Sequence, residues 1–287
     1  MNKTLVILGN GFDLDLGWKT SYNDFYLSKK QRFNEINGMS YIQEMISEGH
    51  WNNLEGYLRN CVVNATNDTI ETVNYFWITC RNLIGEYLNK NTSVIYNTNY
   101  ESCAYEFLKS LSSSNIISFN YTNPFKILGL GDKINILNLH GSLEEIISGA
   151  EIKLGVDSFV LSENVLAKNE LLKYIIKIYE NSNVDVFFNE LKNSENIIIY
   201  GHSLGITDSD YFKPFFKAII DGKLMNKNIY IVTYNDKSLQ DIKDNMLSYG
   251  IDYSELVFSK NVEINTIFTS KGKDDEAFLN MLSNVSL

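Results

Sequence analysis

The sequence has few of the residues on which several kinds of site depend. It contains three cysteines, three histidines and two prolines in 287 residues. The spacing of Cys61, Cys80 and Cys103 fits neither a disulfide framework nor a zinc ribbon, so we expect buried, reduced thiols and no metal site. No apolar run approaches the roughly 18 residues of a membrane span, and Thr4–Leu8 is too short for a signal-peptide core. We therefore expect a cytoplasmic protein without a membrane partner.

The sequence also lacks a basic surface. Its formal net charge is −10 and its pI is near 4.9, whereas nucleic-acid binding needs clustered lysine and arginine to neutralise phosphates. We therefore expect no nucleic-acid partner. Hydrophobic residues make up 44% and charged residues 21% of the chain, which is typical of a globular protein with a full core. Because no repeat or Pro/Gly-rich linker is present, we expect a single domain over residues 1–287.

Short apolar runs alternate with helical patterns along the chain. The β-rich runs are Thr4–Leu8, Ile116–Phe119, Ile134–Leu139, Asn196–Tyr200, Ile229–Thr233 and Val262–Phe268. Nearly continuous apolar runs are typical of strands that are covered on both faces, and helical spacing at residues 166–191 and 238–249 predicts helices. We predict an α/β fold with a doubly wound, mostly parallel, Rossmann-like sheet of about six strands. Residues 22–111 are predicted to form a large helical insertion after the first strand.

Glycines and polar residues follow four of the predicted strands. Gly9-Asn10-Gly11 follows the first, Asn120 the second, His140 the third and Gly201–Gly205 the fourth. Ligands of an open parallel sheet bind outside the carboxyl ends of its strands, so these segments predict one site. Glycines in the first segment would let backbone N–H groups approach a pyrophosphate. Taken alone, this segment is weak evidence, because its G-x-G-x-x-G spacing is broken.

The segment Gly201–Gly205 reads GHSLG and matches the G-x-S-x-G signature of serine esterases. That fold takes its base from a histidine that follows the serine in the chain. His50, His140 and His202 all precede Ser203. The esterase alternative therefore has no base.

Four blocks of sequence together resemble a known family. LGNGFDLDLGWKTSYNDF, SFNYT, LHGS and GHSLGITDSDYF are similar to the bacteriophage abortive infection protein AbiH family, within the sirtuin-like superfamily. The resemblance implies that NAD is the substrate and that Asn120 and His140 are catalytic. It matches the sirtuin glycine loop to Gly9, Asn10, Gly11 and Gly17, and the block that holds the NAD phosphates and ribose to Gly201, Ser203 and Leu204.

Departures from the sirtuin pattern narrow the expected chemistry. Thr20 and Thr122 stand at NAD-site positions where sirtuins have aspartates, and the zinc ribbon is missing. The resemblance therefore implies cleavage of NAD rather than removal of acyl groups from lysine. Asp13 either replaces a sirtuin serine at the sugar or caps the following helix. Asn235 either faces the adenine ribose or is a turn residue.

The leading hypothesis is a phage-defence NAD glycohydrolase that cleaves the bond between nicotinamide and ribose. Asn120 would position the ribose or a water through its amide. His140, with an unperturbed pKa of about 6.5, would accept the proton. The alternative is a nonhydrolytic sensor of NAD or ADP-ribose. Because cleavage of NAD harms the host, we expect control by a homo-oligomer or a phage-derived trigger.

Overall fold

A computed structural model of the chain describes residues 3–35, 53–90, 92–111, 115–131, 134, 136–143, 153–177 and 183–284. The chain divides into two compact units. The first consists of Met1–Trp18, Tyr96–Leu139 and Asn183–Leu287, and the second of Lys19–Ile95 and His140–Ser182. Residues 96–111 of the predicted insertion thus belong to the first unit.

The strands and helices have the following bounds. The strands are β1 Thr4–Leu8, β2 Asn115–Ser118, β3 Ile136–Asn138, β4 Asn196–Tyr200, β5 Lys227–Thr233 and β6 Val262–Phe268. The described helices are α1 Asn10–Asp15, α2 Tyr22–Glu35, α3 Leu54–Val63, α4 Ile70–Lys90, α5 Thr92–Ile95, α6 Cys103–Ser110, α7 Pro124–Ile127, α8 Val160–Glu163, α9 Val184–Asn193, α10 Ser209–Ile220, α11 Asp236–Ser248, α12 Tyr253–Phe258 and α13 Glu276–Asn284.

All six strands form one parallel sheet in the first unit. Their order is β3-β2-β1-β4-β5-β6, and each neighbouring pair is parallel. In this order the chain moves outward from β1 to β3 and then returns to β4 on the other side of β1. The predicted α/β fold with a doubly wound sheet of about six strands is therefore confirmed.

Both faces of the sheet are covered by helices, which explains why its central strands β1 and β4 are apolar at every position after the first. Successive side chains of a strand point to opposite faces. Leu5 and Ile7 of β1 join a core that includes buried residues of α9, α10, α11 and α12. Val6 and Leu8 join a second core with buried residues of α1, α6, α7 and α13. The sequence pattern of β1 follows directly from this double burial.

Ion pairs and a buried hydrogen bond connect helices of the second unit to residues 153–177. Arg59 of α3 pairs with Asp157 at 2.7 Å and also with Glu163. Asp157 is fully buried, and only 11% of the Arg59 side chain is exposed. The Trp77 indole N–H of α4 donates to the carbonyl of Leu154 at 2.6 Å. These contacts hold together segments that are far apart in the sequence.

The helix predicted at residues 166–191 is wrong over its first part. The structure has two short 3₁₀ helices there, Val165–Lys168 and Lys173–Ile175, and α9 begins only at Val184. Asn164 and Asn169 each accept a hydrogen bond from the backbone N–H two residues later, at 2.9 Å. Such side-chain bonds compete with helical ones, which accounts for the short turns. Residues 178–182 lie outside the described part, and the helix predicted at 238–249 is confirmed as α11.

The three cysteines are buried free thiols, as the sequence analysis expected. Burial raises the pKa of Cys103 to about 12, so this thiol stays protonated at neutral pH. Among the described helices, none is both long and apolar enough to cross a membrane. Within the same residues, no group of three or more histidine, cysteine or acidic side chains is placed to hold a metal ion.

Candidate functional site

The candidate site lies at the carboxyl edge of the sheet in the first unit. β1 lies between β2 and β4, and the strand order reverses at the β1–β4 boundary. Ligands of doubly wound sheets bind at such a reversal. Two segments meet there: the glycine turn, Gly9–Gly11, after β1, and the β4 loop, Gly201–Gly205, after β4.

Backbone hydrogen bonds join the glycine turn to the end of β4. The N–H of Gly9 donates to the Tyr200 carbonyl at 2.9 Å, and the N–H of Gly11 donates to the Gly201 carbonyl at 2.8 Å. The N–H of Phe12 donates to the Gly9 carbonyl at 2.9 Å. The glycine pattern predicts that N–H groups of this turn face a pyrophosphate. The N–H groups of Gly9 and Gly11, and that of the following Phe12, are instead bonded to backbone carbonyls of the first unit.

The glycines are required because the two loops are in backbone contact. A Cβ atom on Gly9 would lie 2.5 Å from the Cα of His202, and one on Gly11 would lie 2.8 Å from the Cα of Gly201. A Cβ on Gly201, whose φ is +64°, would lie 2.2 Å from the Phe12 nitrogen. These glycines therefore serve the contact between two protein loops. Asn10, between them, is exposed at the start of α1.

Gly17 ends α1 and has a structural reason of its own. Its φ is +83°, its N–H donates to the Leu14 carbonyl, and the Trp18 N–H donates to the Asp13 carbonyl, both at 2.9 Å. This pair of bonds is the Schellman motif, which favours glycine at the left-handed position. The motif accounts for Gly17 without a ligand.

Asp13 connects the end of β1 to the end of β2. The residue is 1% exposed. One oxygen accepts from the Asn120 amide at 2.9 Å, and the other accepts from the Thr122 hydroxyl at 2.8 Å. Gly9, not Asp13, is the N-cap of α1. The helix-cap interpretation of Asp13 is therefore wrong, and its carboxylate faces the residues that follow β2.

The side-chain orientation of Asn120 is determined by its neighbours. Its amide nitrogen donates to the Gly9 carbonyl at 3.0 Å as well as to Asp13. Both partners are acceptors, so the NH₂ group must face them and Oδ1 must face the other way. No described residue donates to this oxygen. Asn120 thus offers a ligand an acceptor, and its NH₂ group is engaged within the protein.

Asn138, at the end of β3, is a residue that the sequence analysis missed. Its amide donates to the backbone carbonyls of Asn120, at 2.7 Å, and Thr122, at 3.2 Å. These bonds hold the chain after β2 against the end of β3. The one available signal was an asparagine in the otherwise apolar run ILNL.

The β4 loop presents hydrogen-bond donors. Ser203 is exposed, and within the described residues nothing hydrogen-bonds its hydroxyl. The backbone N–H groups of His202, Ser203 and Gly205 also have no acceptor among those residues. The Ser203 carbonyl accepts from the Asn245 amide at 2.9 Å. Leu204 has a fully buried side chain, so only its backbone could face a ligand.

Other predicted residues have different surroundings. Asn235 is the N-cap of α11 and accepts from the Ser238 N–H at 3.0 Å, which agrees with the turn-residue interpretation. Thr20 and His140 belong to the second unit. His140 is buried there, and its carbonyl accepts from the Lys153 N–H at 2.9 Å.

A second carboxylate of α1 is bonded on the α6 side of the sheet. Asp15 accepts from the Tyr200 hydroxyl at 2.7 Å and from the Ala104 N–H at 2.8 Å. Burial raises the pKa of Asp15 above its ordinary value and raises that of Tyr200 well above the usual value. The bond secures the end of β4 to α1.

Comparison with family sequence models gives the assignment. The model described as "Bacteriophage abortive infection AbiH" matches residues 5–230, which is more than three quarters of the chain. The chain belongs to the AbiH family. In the comparison with curated proteins, no protein matched.

The AbiH match begins in β1 and ends in β5. It includes the glycine turn, Asp13, Asn120 and the β4 loop, and among the predicted site residues only Asn235 lies outside it. The family description assigns the chain to bacteriophage abortive infection, a defence process. The part of the sheet that holds the candidate site thus lies within the region that the AbiH model matches.

Proposed function

We propose that this AbiH protein is an NAD glycohydrolase, which cleaves the bond between nicotinamide and ribose during phage infection. Its family supports the defence role. The sirtuin-like arrangement of the four blocks supports NAD as the substrate. The observation that carries the proposal is the Asp13–Asn120 pair, which joins the ends of β1 and β2 next to the strand reversal and presents one oriented acceptor beside a buried carboxylate.

The reaction needs charge stabilisation more than acid catalysis. Water adds to C1′ of the ribose, the C–N bond breaks, and its electron pair leaves with nicotinamide. The products are nicotinamide, ADP-ribose and one proton. The transition state has oxocarbenium-like positive charge on the ribose. Nicotinamide is cationic in NAD and leaves neutral, so the leaving group needs no proton.

Asn120 has the geometry to act on the ribose or on the attacking water. Its Oδ1 accepts hydrogen bonds from hydroxyl groups, and its NH₂ group is held by Gly9 and Asp13. The negative charge of Asp13 polarises the amide, so that Oδ1 becomes a stronger acceptor. Such a prearranged dipole stabilises developing positive charge without reorganisation.

The phosphates fit the β4 loop better than the glycine turn. The N–H groups of Gly9 and Gly11 are bonded within the protein. The β4 loop supplies the Ser203 hydroxyl and the N–H groups of Ser203 and Gly205, and anions bind well to such groups of backbone donors. We therefore assign the pyrophosphate to the β4 loop.

The proton acceptor in this proposal is His140. That assignment rests on the resemblance of LHGS to the sirtuin block and on the chemistry of imidazole near neutral pH. Among the described residues of the first unit, Asp13 is committed to Asn120 and Thr122, which leaves it poorly suited to the task. Mutation of His140 tests the assignment directly.

The test is release of nicotinamide from NAD by the purified full chain, with and without a lysate of phage-infected cells as a source of trigger. Asn120→Ala should lower turnover at least a hundredfold, because it removes the positioned acceptor. Asn261→Ala is the matched control. Asn261 precedes β6 at the opposite edge of the sheet and, like Asn120, donates to a backbone carbonyl, that of Ile219 at 2.9 Å.

The possible results separate the two candidate functions. Full turnover in Asn120→Ala would refute the role of Asn120. Tight NAD binding by the wild-type protein with no turnover in either condition would favour the nonhydrolytic sensor. Equal losses in Asn120→Ala and Asn261→Ala would mean that loss of a structural hydrogen bond, and not loss of the acceptor, explains the effect.

A further inference from the structure

His202 is buried under the β4 loop in an aromatic environment. Only 5% of the residue is exposed. The centre of its ring lies 4.4 Å from that of Phe119 and 4.9 Å from that of Phe212. These contacts leave the imidazole little freedom to rotate, so its two nitrogens have defined directions.

The hydrogen bonds of His202 specify its tautomer. Nδ1 accepts from the Leu204 N–H at 2.9 Å and must therefore carry no proton. In the neutral ring the proton is on Nε2, which lies 3.5 Å from a carboxylate oxygen of Asp208. Asp208 thus favours the tautomer that the bond to Leu204 requires.

The bond to Leu204 controls the shape of the β4 loop. Leu204 has a φ of +49°, a conformation that bulky residues rarely adopt. An acceptor that reaches the N–H two residues later forms the same ring as an Asx turn, which asparagine and aspartate usually make. Here an imidazole takes the place of the carboxamide, and Ser203 lies at the centre of the turn.

We propose that His202 is a positioning residue for phosphate binding. Its Nδ1 fixes the β4 loop so that the Ser203 hydroxyl and the N–H groups of Ser203 and Gly205 are available to one anion. The identity of that anion as the pyrophosphate of a dinucleotide rests on the proposed function. The conformation of the loop does not depend on it.

The tautomer of His202 tests the geometry without any ligand. The full chain labelled with ¹⁵N-histidine has three imidazoles, and the signals lost in His202→Asn identify those of His202. Two-bond ¹H–¹⁵N correlation spectra at neutral pH should show a proton on Nε2 and none on Nδ1. A proton on Nδ1 would overturn the proposal, because that nitrogen could not accept from Leu204.

Two variants test the role of the bond in binding. In His202→Asn, Oδ1 can still accept from the N–H two residues later, whereas the longer side chain in His202→Gln places its amide near the position of Nε2. Both lose the aromatic ring and its contacts with Phe119 and Phe212, so each is the control for the other. Calorimetry with ADP-ribose should give an affinity within about threefold of wild type for His202→Asn and about tenfold weaker for His202→Gln.

Equal affinities for the two variants, at matched thermal stability, would overturn the positioning role. If the wild-type protein binds neither ADP-ribose nor NAD, the proposed function is wrong, and the tautomer alone then decides whether His202 positions the loop. A ligand-independent readout of the same bond is the exchange rate of the Leu204 amide. It should rise in His202→Gln and stay close to wild type in His202→Asn.

Discussion

Replacement of Gly201 by alanine should destabilise the protein by roughly 2–5 kcal/mol. The positive φ of +64° alone costs a residue with a Cβ about 1–2 kcal/mol. The new Cβ would lie 2.2 Å from the Phe12 nitrogen and 2.4 Å from the Gly11 carbonyl carbon, where ordinary contacts are about 3.5 Å. The two loops must then separate, and the 2.8 Å bond from Gly11 to Gly201 is lost, at about 1–3 kcal/mol for its buried groups.

The variant Gly250→Ala separates the cost of the positive φ from the cost of the steric contact between the two loops. Gly250 also has a positive φ, +83°, but a Cβ there would meet nothing within 4 Å. Gly250→Ala should therefore lower the free energy of unfolding only by the cost of the positive φ, about 1–2 kcal/mol. Urea titration followed by circular dichroism would measure both free energies of unfolding. If Gly201→Ala costs no more than Gly250→Ala, the contact between the glycine turn and the β4 loop is not the reason for glycine at position 201.

Four further predictions concern single residues. Arg59→Ala should lower the free energy of unfolding by about 3–5 kcal/mol, because it leaves the carboxylate of Asp157 buried without its ion-pair partner. Adding Asp157→Asn to the same chain should recover part of this loss, as measured by urea titration. Folding raises the pKa of Asp15, so the stability that this group contributes is full below pH 3.8 and is lost as the pH rises through the folded pKa. The Asp15→Asn variant does not lose this contribution, so its free energy of unfolding should increase relative to that of wild type over the same pH rise. Urea titrations at several pH values would measure the difference. A serine-reactive phosphonate should not label Ser203, and stoichiometric labelling seen by mass spectrometry would revive the esterase alternative. His140→Gln should reduce nicotinamide release at least a hundredfold, whereas undiminished release would remove the proposed base.

The sheet could be predicted closely from the sequence, but the short 3₁₀ helices Val165–Lys168 and Lys173–Ile175 could not. Strands buried on both faces leave a local signal, because they read as nearly continuous apolar runs. β1 and β4 match their predicted bounds for this reason. The failed helix has apolar residues at helical spacing, yet Asn164 and Asn169 redirect the backbone with their side chains. The spacing of apolar residues carries no information about whether such side-chain bonds will replace the helical backbone bonds.

The candidate site was predictable in its location but not in its internal bonds. Gly-containing strand ends located it at the carboxyl edge, where parallel strands bring them together. The bond of Gly11 to Gly201 joins positions that are 190 residues apart, and nothing near either glycine indicates it. The same holds for Asp13, whose partners Asn120 and Thr122 follow a different strand. The sequence pattern therefore predicts ligand contacts at positions where the groups instead bond to other parts of the protein.

The pairing of β1 also has a consequence for how the chain is made. Thr4 pairs with Asn196 and Leu5 with Asn115, so both neighbours of the first strand are synthesised long after it. At roughly 5–20 residues per second, β1 leaves the ribosome roughly 10–40 s before β4 can join it. During that interval the strand TLVIL has an apolar edge without its partner, which is the kind of segment that associates with other chains. Folding of this protein during its synthesis should therefore be helped by chaperones that shield the first strand until the fourth has emerged.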